Sequence, residues 1–354
     1  MSKHHGKHRR GQRPEETGAS ASQRDVSHRK DGSRGKDGSR GKGGKAAETG
    51  EAHRAGHRPP SSAHWAREAE SRATAAGEPL DPRLAPAAAG IVTVQPGTRC
   101  DLDAIDANTD GGLDKAEAKA ALATERSRIA TLQERLYAEH KRSLLVVFQA
   151  IDTGGKDGTI RAVFEGVNPQ GCRVWSFKVP SAEESDHDFL WRYHAKAPAR
   201  GMINVFNRSH YEDVLVVRVK DLVPEPVWRA RYDQINDFER MLAAAGTTVL
   251  KFFLHISKDE QKERLEARLA NPDKHWKFDP ADLVERRSWD AYQAAFADAL
   301  TACSTPHAPW HVVPANRKWY RNLLIARTIA DTLEAMDPRF PEAKAGIAGM
   351  TVPD

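Results

Sequence analysis

Residues Ser143 to Phe164 read SLLVVFQAIDTGGKDGTIRAVF, and the order of residue types in that stretch decides the fold. Ser143 to Gln149 is an apolar, β-branched run short enough to be a central parallel strand. Asp157 to Phe164 resumes helical spacing through Ile160, Val163 and Phe164. Between them, Ala150-x-x-x-x-Gly155-Lys156-Asp157 follows the pattern G-x-x-x-x-G-K-[S/T] with two departures. Ala150 replaces the first glycine, and Asp157 replaces the metal-binding hydroxyl. Gly154, Gly155 and Gly158 let the backbone turn tightly and offer N–H groups to phosphate oxygens at a helix N-terminus. Lys156 adds a point charge and is expected to touch only ligand and solvent. Thr153, Gly154, Gly155, Lys156, Asp157, Gly158 and Thr159 are therefore the candidate phosphate cradle. The competing reading is an ordinary glycine-rich strand-to-helix turn.

Outward from this stretch, strands and helices alternate. Asp114 to Arg142 carries Leu122, Ile129, Leu132 and Leu136 at helical spacing and predicts a long amphipathic helix. Cys172 to Phe177 and Met202 to Phe206 read as short buried strands, with helix over Ala182 to His194 between them. Glu225 to Ala245 predicts a second long helix stopped by Gly246, and Thr247 to Ile256 is an apolar strand. His311 to Val313 is the expected last strand and Arg317 to Met336 the closing helix. This alternation implies an α/β fold, a parallel sheet covered on both faces in the three-layer, P-loop kinase-like manner.

Several blocks carry a resemblance to a known family. They are FQAIDTGGKDGTIRAVFEGVNPQG, SFKVPSAEESDHDFLWR, FNRSHYEDVLVVRV, FFLHISKDEQKERLEARL, NPDKHWKFDPAD and APWHVVPANRKWYRNLLIAR. Together, in order, they resemble the family-2 polyphosphate kinases over about Pro96 to Met336. The form of FNRSHYEDVLVVRV is similar to the subgroup that phosphorylates nucleoside mono- and diphosphates. The residues themselves read as a P-loop kinase; the resemblance implies inorganic polyphosphate as donor, AMP or ADP as acceptor, and magnesium. An ATP-using kinase on the same fold, and a non-catalytic polyanion-binding or calcium-responsive protein, are the alternatives.

Asp152 lies four residues before Lys156, where a bare carboxylate would repel phosphate. It makes sense chiefly as a magnesium ligand, the alternative being a cap on the following helix or turn. General-base work is the weaker assignment, because a nucleotide phosphate has a second pKa of about 6 and is already ionised. Asn207 and Arg208 end the strand expected beside the glycine loop, at the carboxyl edge where ligands bind. A planar guanidinium suits a phosphoryl group, so Arg208 is a candidate catalytic residue, against a structural Arg–Glu pair. In the family picture the Asn207 position, where some relatives carry Asp, bears on acceptor choice. Tyr211 and Glu212 join it as candidate acceptor-binding residues. Arg264 and Arg268 stand at i and i+4 on one helix, and Asn271-Pro272 breaks that helix into a basic tip with Lys274 and Lys277. The family has a lid here, expected over about 258–285, whose four cations would close on phosphates; a solvated amphipathic helix is the alternative.

Asp106 to Glu117 satisfies the ligand positions of an EF-hand loop. The residues before it are too short and too broken by Pro and Gly for an entering helix, so a turn before the Asp114 helix is favoured.

Composition sets the remaining bounds. The chain has 354 residues, 39% hydrophobic, with a mean hydropathy of −0.65. Met1 to Pro60 carries 15 Lys/Arg against 7 Asp/Glu, a formal +8, whereas the whole chain is +5, so the remainder is −3. Residues 1–90 are expected to form a disordered basic tail and linker, 91–340 the kinase domain, and 341–354 a flexible C-terminal tail. The tail could attract nucleic acid or polyphosphate by screened attraction, or be merely solvated. Three widely spaced cysteines, Cys100, Cys172 and Cys303, suit a reducing cytoplasm, and no apolar run is long enough for a membrane span. A homo-oligomer is expected.

Overall fold

A computed structural model of the chain describes residue 81, residues 84–347 and residues 349–353. The expected basic tail lies almost wholly outside the described residues. Strand β1 (Val92–Val94) is followed by helix α1 (Lys115–Glu139), β2 (Ser143–Gln149), α2 (Lys156–Val163) and β3 (Cys172–Ser176). Two short helices, α3 (Ala182–Asp186) and α4 (Trp191–His194), then lead to β4 (Ile203–Asn207), α5 (Glu212–Val219), α6 (Glu225–Ala244) and β5 (Thr247–His255). The chain closes through α7 (Lys258–Leu269), a 3-10 turn (Pro272–Lys277), α8 (Ala281–Arg287), α9 (Trp289–Ala302), β6 (Trp310–Pro314) and α10 (Lys318–Met336).

The six strands form one sheet in the order β1-β6-β5-β2-β4-β3. All neighbours are parallel except β1, which runs antiparallel to β6. The sheet is therefore mixed, and the all-parallel expectation is corrected at this edge: Val92–Val94 is a three-residue strand too short to stand out in sequence. In the centre, Leu144 of β2 sits between Ile203 of β4 and Thr248 of β5. All seven residues of β2 and all nine of β5 are buried, so both faces of the sheet centre are covered. Helices α1, α2 and α10 pack together as one layer, and α5, α6 and α9 as another.

Helix α1 starts where Asp114 accepts hydrogen bonds from the Ala116 and Glu117 amides, and it ends at His140 in the left-handed region (φ 54°). Its buried stripe, Ala118, Leu122, Glu125, Ile129, Leu132 and Leu136, recurs every three or four residues and faces α10. Glu125 in that stripe is paired by Arg128 at 2.5 Å and Arg327 at 3.2 Å. The expected single helix over Ala182 to His194 is two pieces. Ser181 caps α3 in a capping box with Glu184, but His187 is extended and Asp188 receives the Leu190 amide, which restarts the chain.

An ion pair lies in the core between β5 and α6. Lys251 Nζ donates to Glu239 Oε2 at 2.6 Å, to the Tyr211 hydroxyl at 2.8 Å and to the Cys303 carbonyl at 2.6 Å. The Tyr211 hydroxyl donates to Glu239 Oε1 at 2.9 Å, and His210 Nε2 lies 3.1 Å from the same oxygen. Burial alone would raise the Glu239 carboxyl; Lys251 and His210 more than offset it, and its pKa is lowered. Because the folded pKa is depressed, the pair stabilises above the ordinary carboxylate value and loses that contribution as pH falls through the folded one. Glu239→Gln leaves Lys251 charged without an anion and is expected to cost about 3–5 kcal/mol in urea unfolding at neutral pH. The gap to wild type should narrow as the solution is made acidic.

Candidate active site

The carboxyl ends of β2 and β4, the start of α2 and the α7–α8 hairpin enclose a cleft of about 590 Å³. Its floor is the glycine loop. Thr153 (φ 62°) and Gly155 (φ 99°) both take the left-handed conformation, which reverses the chain into α2. A Cβ added to Gly154 would lie 2.4 Å from the Ala150 Cβ and 2.8 Å from the Ile151 carbonyl. The methyl group of Ala150 thus fills space beside Gly154, and together with the Ile151 carbonyl it leaves room only for glycine there. Lys156, Asp157 and Gly158 open α2, so their N–H groups have no intrahelical acceptor.

Lys156 is half-buried and donates to the Ala150 carbonyl at 2.8 Å, which corrects the expectation that it touches only ligand and solvent. Burial, then the neighbouring Arg208, pulls its pKa below the ordinary lysine value. Arg208 follows β4 in the left-handed region (φ 63°), and its Nη2 donates to Asp152 Oδ1 at 2.9 Å. Glu212 stands 3.8 Å from its other terminal nitrogen. Burial works against the charge of Arg208, but Glu212 and Asp152 outweigh it and the pKa is raised. Asn207 Nδ2 donates to Asp157 Oδ1 at 2.6 Å, tying the end of β4 to the first turn of α2.

From the hairpin, Arg268, Trp276, Lys277 and Asp282 line the cleft. Helix α7 stops at Leu269, and Asn271 caps the following turn by accepting the Asp273 amide, so the break falls at Asn271-Pro272. Arg268 lies 3.5 Å from Asp282, and Lys277 lies over the ring of Trp276, which is 78% exposed. Burial, then repulsion from Asp152, raises the Asp282 carboxyl.

The cleft brings together Asp152 to Gly158, Asn207, Arg208, Arg268 and Lys277 of the expected set. Five others lie outside the lining, among them Glu212, which stands behind Arg208 at 3.8 Å. Thr159 is buried and donates to the Gly155 carbonyl at 3.0 Å, which serves the helix rather than a ligand. Tyr211 is 0% exposed and spends its hydroxyl on Glu239 and Lys251. Lys274 shares the 3-10 turn with Trp276 and Lys277 but, unlike them, does not line the cleft. Arg264 is 8% exposed and packs behind the loop, not over it. Conversely, Asp282 and the Ser176 to Val179 segment after β3 line the cleft without having been singled out. Asp282 was legible only as part of the basic tip's sequence, since its partner Arg268 is fourteen positions away.

The EF-hand-like stretch is a turn and a cap. No helix precedes it among the described residues. Asp106 accepts the Asn108 amide, Asp110 accepts the Gly112 amide and pairs with Arg317 at 3.3 Å, and Asp114 caps α1. Among the described residues no helix is long and apolar enough to cross a membrane.

Comparison with known proteins matches the chain to the family Polyphosphate kinase 2 over residues 112–341. An AMP/ADP-polyphosphate phosphotransferase of Meiothermus ruber is 54% identical over 70% of this chain and 94% of the relative. An ADP-polyphosphate phosphotransferase of Rhodopseudomonas palustris is 47% identical over 62% of this chain and 81% of the relative. The crystal structure of Polyphosphate Kinase 2 from Arthrobacter aurescens TC1 superposes with a TM-score of 0.69 at 45% identity, covering 70% of this chain and 90% of that one. With the glycine loop, the β4 edge and the basic hairpin falling inside the matched span, the chain belongs to the polyphosphate kinase 2 family.

Proposed function

We propose that this protein transfers the terminal phosphoryl group of inorganic polyphosphate to AMP and ADP, on a P-loop kinase-like fold and with magnesium. One observation carries the reading. Five cations, Lys156, Lys178, Arg208, Arg268 and Lys277, converge on one open cleft with three carboxylates, Asp152, Asp157 and Asp282. Such a cleft suits two polyanions brought end to end.

An acceptor phosphate with a second pKa of about 6 is its own nucleophile at neutrality, so the protein supplies position and charge rather than a base. Lys156 and the first amides of α2 hold the donor's phosphates. Arg208, steadied by Asp152 and Glu212, turns its guanidinium toward the transferring group, while Arg268 and Lys277 cover it from the hairpin and exclude water. Among the described residues no three carboxylate, His or Cys side chains are grouped to cage a metal. The donor set therefore fits magnesium held by one or two carboxylates plus phosphate oxygens and water. Asp152, with Asp157 or Asp282, would hold that ion, which would neutralise phosphate charge.

The test is to supply purified protein with AMP, polyphosphate and magnesium but no ATP. ADP and then ATP should form. Turnover that requires added ATP would instead identify an ATP-using kinase on this fold. Asn207→Asp sets a second carboxylate against Asp157, and the added charge disfavours the more highly charged acceptor. The ratio of AMP to ADP use should rise about tenfold, equivalent to about 1.4 kcal/mol. An unaltered ratio would place Asn207 outside the acceptor site.

A further inference from the structure

The glycine loop is gripped from behind by two guanidinium groups from different elements. Arg264 of α7 donates to the Thr153 and Gly154 carbonyls at 3.0 Å each, to the Ala315 carbonyl at 2.6 Å and to Glu260 at 2.6 Å. Arg321 of α10 lies on the same side, its Nη1 3.4 Å from the Gly154 carbonyl and its other donors on Asn322 Oδ1 at 2.9 and 3.1 Å. A Cβ on Gly155 would come within 2.3 Å of Arg321 Nη1, so the loop backbone presses directly on this side chain. The two arginines are not equivalent. Arg264 has Glu260 as a counter-ion, whereas Arg321 is 2% exposed and its partners among the described residues are neutral oxygens.

A buried cation without a counter-ion costs free energy that the free protein must bear. Burial, then the nearby Arg264, pulls the Arg321 pKa well below the ordinary arginine value, to about 9. Glu260, which is paired with Arg264, offsets only part of this; a phosphate chain on the front of the loop would offset the rest, since charges attract strongly across a dry interior.

We propose that Arg321 is a positioning residue for phosphate binding: it braces the Gly154–Gly155 turn from behind and supplies a buried positive charge, without a paired counter-ion of its own, that is fully compensated only when phosphate occupies the loop. The inference rests on the proposed phosphate site. It makes free-state stability and ligand affinity depend on the same side chain in opposite directions, which a merely structural arginine does not do.

Tripolyphosphate binding to the full chain, read by the rise in unfolding temperature without any turnover, tests it. Arg321→Met should unfold no lower than wild type without ligand, because an apolar side chain of similar length removes the uncompensated charge. Its tripolyphosphate-induced rise should be at most half that of wild type, and the apparent Kd about tenfold weaker. Arg321→Lys, which keeps the charge without the planar fork, should recover most of the rise. An undiminished rise in the Met variant would overturn the proposal. So would a Met variant that does not fold, since the free protein would then depend on the side chain. A wild-type chain with no rise at all would overturn the phosphate-site reading, and the inference with it.

Discussion

Lys156→Ala is expected to lower phosphoryl transfer about a hundred- to a thousandfold, the usual effect of deleting one preorganised charge at a transferring group. The variant should still fold. The lysine makes one hydrogen bond to protein, to the Ala150 carbonyl, and its loss costs about 1 kcal/mol. Relief of a desolvated ammonium offsets part of that. The same desolvation gives a pH signature: in the free protein the ammonium is weakened by burial and by Arg208, and phosphate on the loop would restore it. Polyphosphate binding should therefore weaken as pH rises through the lowered lysine value, and the alanine variant should lack this dependence. Single-turnover rates, unfolding temperatures and binding across alkaline pH are the three measurements. A variant with wild-type turnover would remove Lys156 from the transfer step.

The parts of this fold legible in sequence are those whose burial is decided locally. Strand β2 lies at Ser143 to Gln149, as its unbroken apolar run predicts, because a strand covered on both faces must be apolar at every position. The loop was equally plain, since its left-handed turn needs glycine where Gly155 stands. Helix α5 was not read. Its sequence, EDVLVVRV, is rich in valines that disfavour helix, and packing on α6 and α9 overrides that preference. Tertiary partners also separate Arg264 from Arg268. Four residues apart on α7, they were expected to point together, yet Arg264 is drawn to the carbonyls of the loop and of Ala315, while Arg268 meets Asp282 across the hairpin. Neither partner set is a property of the helix's own sequence. Tyr211 misleads for the same reason: it sits four residues after β4, near the cleft in sequence, but its hydroxyl is needed to satisfy a buried lysine and glutamate contributed by β5 and α6.

Asp152→Asn is the other change with a large expected effect, and it separates the two readings of this residue. The helix-cap reading has lost its geometry. The cap of α2 is Gly155, without a side-chain bond, whereas Asp152 Oδ1 accepts from Arg208. That pair is partly exposed, with 40% and 30% of the two side chains accessible, so it contributes no more than about 1 kcal/mol to stability. Asparagine keeps an oxygen for Arg208 but removes the negative charge a magnesium ion would require. Transfer should fall about a hundredfold or more, the unfolding temperature should stay near wild type, and raising magnesium to tens of millimolar should restore part of the loss. Asp282 supplies the control. It lies in the same cleft, its carboxyl is raised by burial and by Asp152, and neutralising Asp152 relieves it. If both carboxylates serve one ion, Asp152→Asn with Asp282→Asn should lose the magnesium rescue altogether. Rescue that persists in the double variant would assign the metal to Asp157 and the phosphates alone, and a drop in unfolding temperature without any loss of transfer would return Asp152 to a structural role.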